Sequence, residues 1–129
     1  MKKIFTVLLT ATLLLCLFSC GESTFDSIIE QLDTKAWLSS SVYDGGQIAE
    51  IEESIKKAGI NLDADVENIA HYIKADYPQN TFVYVYEFEL TEDAQKFKEQ
   101  YADNWGSARI KDNAVVYGTA TTVIEELNL

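Results

Sequence analysis

The chain predicts an α+β domain, and three features carry that expectation. Residues 81–90 read TFVYVYEFEL, an alternating aromatic and β-branched run of strand length. Segments with apolar residues three and four apart, the signature of amphipathic helices, lie on both sides of it. Two short apolar runs then flank Asp112-Asn113, a pair of residues that tolerate turn conformations. The order is three helices, then strand–helix–strand–strand–helix. That order predicts two layers: a small antiparallel-type sheet of about three strands, with helices packed on one face and N-terminal helices ahead of it.

The first helix has Ser23 as its cap and Asp26 in its first turn, with Phe25, Ile28, Ile29, Leu32 and Ala36 on one face. Asp26, Glu30 and Asp33 make its other face acidic, which favours core packing over lying on a membrane surface. Residues 37–44 are read as an irregular connection or a short edge strand. Gly45-Gly46 is a break, followed by a helix over 47–58 with Ile48, Ile51, Ile55 and Ala58 on one side. On its other side Glu52–Lys56 and Glu53–Lys57 pair four residues apart, and Gly59 ends it. A third helix is expected from Asp63 or Asp65 to Asp76, burying Val66, Ile69, Ala70 and Ile73, with Pro78 preventing continuation.

In 81–90, alternation places Phe82, Tyr84, Tyr86, Phe88 and Leu90 on one face. Val83, Val85, Glu87 and Glu89 take the other, two aliphatics and then two acids, so that face is expected to leave the interior toward Leu90. Thr91 is the expected cap of the next helix, whose buried face is Ala94, Phe97, Tyr101 and Trp105, closed by Gly106. The hairpin covers 107–111 and 114–118, and a terminal helix over 121–127 contributes Val123, Ile124 and Leu127. The strand–helix–strand portion resembles half of a ferredoxin-like unit, a likeness of fold that carries no function.

Residues 1–20 are of another kind. Lys2 and Lys3 precede an apolar, threonine-dotted run from Ile4 to Phe18, the layout of a secretory signal and short for a membrane span. The segment ends Leu17-Phe18-Ser19-Cys20, which resembles the lipobox of bacterial lipoproteins, with Phe18 bulkier than the pattern's usual residue. The resemblance implies removal of residues 1–19, diacylglycerol on the Cys20 sulfur, and a lipid-anchored protein of the bacterial cell envelope. An uncleaved anchor or a plain secretory signal are the alternatives. Residues 20–129 are then a single mature α+β domain, long enough for one core.

Composition narrows the chemistry. Cys16 would leave with the signal and Cys20 would carry lipid, so the mature domain has no thiol for a disulfide, nucleophile or soft metal site. The chain has 10 basic and 21 acidic residues, and losing Lys2 and Lys3 takes its formal charge from −11 to −13. That balance argues against nucleic acid and against attraction to anionic lipid, leaving the acyl chains as the membrane attachment. His71 is the only histidine and is read as exposed, with no second histidine or cysteine to join it in a metal site. Glu87 and Glu89 would project from one strand face rather than across a bond, the wrong arrangement for a glycosidase pair. Asp63-Ala64-Asp65 and Asp112-Asn113 offer oxygens for a hard cation, without the twelve-residue loop spacing of a calcium site. Gly45-Gly46 lacks the Lys-Ser/Thr of a phosphate loop.

No cofactor is implied. The expectation is a non-catalytic binding module for a protein or peptide partner, soluble glycan being the second class. A small envelope hydrolase using Glu87 or Glu89 is the alternative, and oligomeric state is left open. The Phe82–Phe88 aromatic stripe has two readings: core beneath the 94–105 helix, which is the expectation, or an open platform for sugar rings or peptide side chains. In the second, Tyr43, Tyr72, Tyr77 or Tyr117 would border a shallow groove at one end.

Overall fold

A computed structural model describes residues 23–35, 38–74 and 81–129. The elements run α1 (Thr24–Asp33), β1 (Leu38–Val42), α2 (Gly45–Lys57), β2 (Val66–Lys74), β3 (Phe82–Phe88), α3 (Thr91–Gln100), a 3₁₀ turn (Ala102–Asn104), β4 (Ser107–Lys111), β5 (Ala114–Gly118) and α4 (Thr121–Glu125). The class is α+β, but the sheet has five strands in the order β1-β2-β3-β5-β4, each antiparallel to its neighbours. Strands β3 and β4 therefore run parallel with β5 between them, joined through α3, which is the split βαβ arrangement.

The two missing strands have a common cause. The 63–76 helix is instead strand β2, and of the two readings of 37–44 the edge strand holds, as β1 paired to β2 with Ser41 opposite His71. Val66, Ile69, Ala70 and Ile73 do sit at helical spacing, yet the spacing arises differently. The register slips between Val66 and Asn68, so Glu67 is an extra, bulged residue and Val66 joins Ile69 on one sheet face. Ala70 lies on the other face, in the other core. A strand buried on both sides, with one bulge, imitates a helix.

Helices cover both faces, not one. Phe25, Ile28 and Leu32 of α1 and Val123 and Ile124 of α4 pack with Ala70, Tyr72, Val83, Val85 and Val116. On the opposite face, Ile48 and Ile55 of α2 and Ala94 and Phe97 of α3 pack with Ile69, Tyr86, Phe88 and Val115. The reason is visible in β5, AVVYG, which is buried throughout and has no polar alternation to present to water. The second face of β3 does not leave the interior either. Glu87 is buried and accepts a 2.8 Å hydrogen bond from Asn68 Nδ2.

Local chemistry sets the helix ends. The Asp26 amide donates to Ser23 Oγ, and Asp44 forms a reciprocal capping box with Gln47, which starts α2 at the two glycines themselves. Gly59, at φ +90°, ends α2, and the Ile60 amide returns to the Ile55 carbonyl. Both ion pairs of α2 are present, at 3.4 and 3.2 Å. Leu90 is the cap position of α3 and makes no side-chain bond, so Thr91 begins the helix rather than capping it. Instead, fully buried Asp93 in the first turn accepts from the Asp63 and Ala64 amides and lies 3.6 Å from Lys96. That ties the segment entering β2 to α3.

On the other face, Tyr72 donates to Asp33, the Gln31 amide exchanges two bonds with the Asn128 backbone, and Arg109 donates to the carbonyls of Ile124, Glu125 and Leu127 at the end of α4. Among the described residues no helix is long and apolar enough to cross a membrane.

Phe97 is fully buried against Tyr86, Phe88 and Tyr117. Phe97→Ala should cost about 3–5 kcal/mol in urea denaturation. Trp105→Ala, at a side chain 40% exposed, should cost about 1 kcal/mol or less. Equal losses would contradict this division of the aromatic face.

Candidate functional site

The aromatic stripe is both core and surface. Tyr86 and Phe88 are buried beneath α3, while Phe82 and Tyr84 are only half-buried. The open half is the floor of a cleft of about 420 Å³. One row of the sheet forms that floor: His71, Tyr84 and Tyr117 face each other across β2, β3 and β5. His71 stacks on Tyr84 at 4.1 Å and 7°, and Tyr84 on Tyr117 at 5.5 Å and 17°. Tyr101 and Trp105 make one wall, tilted by 50° to each other, and Phe82 meets Trp105 edge-on at 5.8 Å. Ile51 of α2 lines the cleft too, and Tyr43 reaches toward His71 edge-on.

Backbone geometry holds the Trp105 wall in place. The chain turns sharply at Gly106, φ +40°, where a Cβ would come within 2.7 Å of the Gly118 carbonyl oxygen. Gly118 is more constrained: at φ +152° a Cβ would lie 2.1 Å from the Phe82 carbonyl oxygen. Only glycine allows β5 to approach β3 this closely beside Phe82.

Three tyrosine hydroxyls of the cleft are engaged by neighbouring tyrosines. The Tyr84 hydroxyl is hydrogen-bonded to Tyr43, and the Tyr117 hydroxyl to Tyr86. Burial, and then the bond to Tyr43, pushes the Tyr84 phenol up to about 12. Burial also raises Tyr86 and Tyr117, so all three stay protonated at neutral pH. Burial pushes the His71 imidazole below its ordinary value, keeping the ring neutral.

Several candidate residues fall elsewhere. His71 is not an exposed helix residue but part of the stacked floor. Tyr72 lies on the opposite sheet face, bonded to Asp33, and Tyr77 is outside the described residues. Glu89 is exposed and beyond the end of β3, while Glu87 belongs to the face away from the cleft. There Glu87 is hydrogen-bonded to Glu67, whose carboxyl is raised by desolvation and then by the Glu87 charge. Asp63 is paired with Lys96 at 2.9 Å, and Asp112 accepts from Thr24. Among the described residues, no three His, Cys, Asp or Glu side chains are grouped to hold a metal ion. Cys20 lies outside the described residues. Two other depressions, of about 310 and 320 Å³, lie along α1 and α4 and have no aromatic wall.

Comparison with protein families, with characterised proteins and with solved structures finds no match to this chain.

The His71 environment has a consequence for stability. Its folded pKa lies below its unfolded value of 6.5, so the unfolded chain takes up the proton first as pH falls. Stability contributed by the neutral ring is therefore present above 6.5 and lost as pH drops toward the folded value. His71→Phe keeps a stacking ring without the titration. From about pH 7 to about pH 5, urea denaturation should show the wild type losing stability relative to this variant. Parallel curves would exclude the effect.

Proposed function

We propose that this chain is a lipid-anchored protein of the bacterial cell envelope, and that its domain is a non-catalytic module binding a protein or peptide through the aromatic cleft. The observation that carries the binding reading is the open half of the stripe. Trp105 is 40% exposed over a half-buried Phe82 and a stacked tyrosine floor, whereas the other described aromatics are buried or half-buried. Tryptophan and tyrosine in a concave site are typical anchors of recognition, burying much area with few rotatable bonds. The hydroxyls of Tyr84 and Tyr117 are already engaged, so the cleft presents a mainly apolar aromatic surface.

The anchor reading rests on the 1–20 pattern and gains a geometric consequence from the fold. Only Gly21 and Glu22 separate Cys20 from the Ser23 cap of α1. Helix α1 packs on the sheet face opposite the cleft. Lipid on Cys20 would hold α1 near the bilayer and leave the cleft on the far side of the sheet, open to a partner.

Two measurements test the two halves. Intact mass of the protein from its native host should show residues 1–19 removed and acyl chains on Cys20, with Cys20→Ala unprocessed or released. An unmodified Met1 terminus would end the anchoring claim. Peptides selected from a random display library on the purified protein should lose about tenfold or more in affinity with Trp105→Ala and with Tyr84→Ala. Glu126→Ala on the opposite face should leave affinity unchanged. Selected peptides indifferent to both cleft variants, or a selection yielding none, would overturn the cleft as the site.

A further inference from the structure

We propose that β1 is an interface between two copies of this chain, its outer edge pairing antiparallel with the same edge of a second copy so that two sheets become one. The sheet ends in β4 on one side and in β1 on the other, and the two edges are protected unequally. Strand β4, SARIK, carries Arg109 and Lys111, and Arg109 is bonded to the end of α4. Charges and a covering helix are common protection of an edge against pairing with another chain. Strand β1, LSSSV, has no charge, no proline and no bulge in its register with β2. Ser40, Ser41 and Val42 are exposed, Val42 at 65%.

The register of β1 fits a two-fold axis. The Tyr43 amide donates to the Ile69 carbonyl, so the odd-numbered residues of this pairing bond to β2 and the even ones turn N–H and C=O outward. The outward residues are Leu38, Ser40 and Val42, and among the described residues no backbone group pairs with them on that side. An antiparallel partner must match outward residues to outward residues. A two-fold through Ser40 does so: Ser40 faces Ser40 of the second copy, and Val42 faces Leu38 at both ends. Every outward donor then meets an outward acceptor, and no like charges stand opposite each other. In a chain of 21 acidic and 10 basic residues, an uncharged strip is where two copies approach with least repulsion.

The same axis suits the anchoring proposed above, and this step rests on that reading. Antiparallel pairing within one sheet sets the two-fold perpendicular to the sheet, so both copies keep the same face on the same side. Both α1 helices then lie on one side and both aromatic clefts on the other. Two Cys20 lipids reach a single bilayer while both clefts stay open to partners. A foreign peptide strand on this edge would gain the backbone bonds without that match. Confining both anchors to one membrane also raises their effective concentration, which a contact of five residues a side needs.

Cross-linking of the full chain in membranes of its native host reads the register. In Ser40→Cys, position 40 of the two copies would lie about 5.5 Å apart at Cα, inside the range of about 4.4–6.8 Å that a disulfide spans. In Ser41→Cys the separation would be roughly 8 Å, beyond that reach. Both positions are exposed, so their access to an oxidant is alike. Mild oxidation should therefore give covalent dimer from Ser40→Cys at about fivefold or more the yield from Ser41→Cys. The wild-type chain reports any link through Cys16 or Cys20. Adding Val42→Lys to Ser40→Cys, which places a charge on the edge, should bring the yield down toward that of Ser41→Cys. No dimer, equal yields from the two variants, or a Ser40→Cys adduct with a different protein would overturn the pairing of two copies. Intact mass judges the anchor separately: a Ser40→Cys dimer in a chain without lipid on Cys20 would uphold the strand pairing and end the membrane geometry.

Discussion

Strand β3 is the one element that both cores need. Val83 and Val85 enter the core closed by α1 and α4; Tyr86 and Phe88 enter the one closed by α2 and α3. Its neighbours are β2 and β5, and register along all three is set by which face each side chain must reach. A one-residue slip would exchange aliphatics for aromatics between the two cores. Gly118 locks the pairing at one end, since no side chain fits between β5 and the Phe82 carbonyl. At the other end the Asn113 side chain bonds the Phe88 carbonyl.

Much of this was legible in sequence because β3 is unambiguous, as are Ser23, Gly59 and the Asp112-Asn113 turn. What misled was the assumption that one sheet face would be wet. Once Ala70 and Tyr72 are buried on one side and Val66 and Ile69 on the other, apolar residues no longer alternate, and periodicity cannot separate strand from helix. The bulge at Glu67 completed the imitation. The content of 66–73, with two isoleucines, a valine and a tyrosine, was the available signal for a strand.

The cleft was half legible for the same reason. Its floor residues Tyr84 and Tyr117 follow from the stripe and the hairpin, and Tyr43 was named as a neighbour. His71 was lost with β2, because a helix would have turned it to solvent whereas the strand sets it directly opposite Tyr84. The sequence pattern puts Tyr101 and Trp105 on the buried face of one long helix. That helix ends at Gln100, and Trp105 follows a separate 3₁₀ turn.

The early end of α3 is what leaves the cleft open. A strand of the seven residues of β3 spans roughly 23 Å, and a helix of the ten residues of α3 only about 15 Å. Starting just past Phe88, α3 covers Tyr86 and Phe88 and stops before Phe82. The chain then turns at 102–104 and at Gly106 into β4, because Gly106 must pass tightly beside Gly118. Trp105, caught between the two turns, cannot descend into the core as a further helical turn would have carried it. It stands instead at the rim, over the end of the stripe that α3 does not reach. The exposed tryptophan and the unfilled hollow are thus one consequence of a helix shorter than the strand it covers.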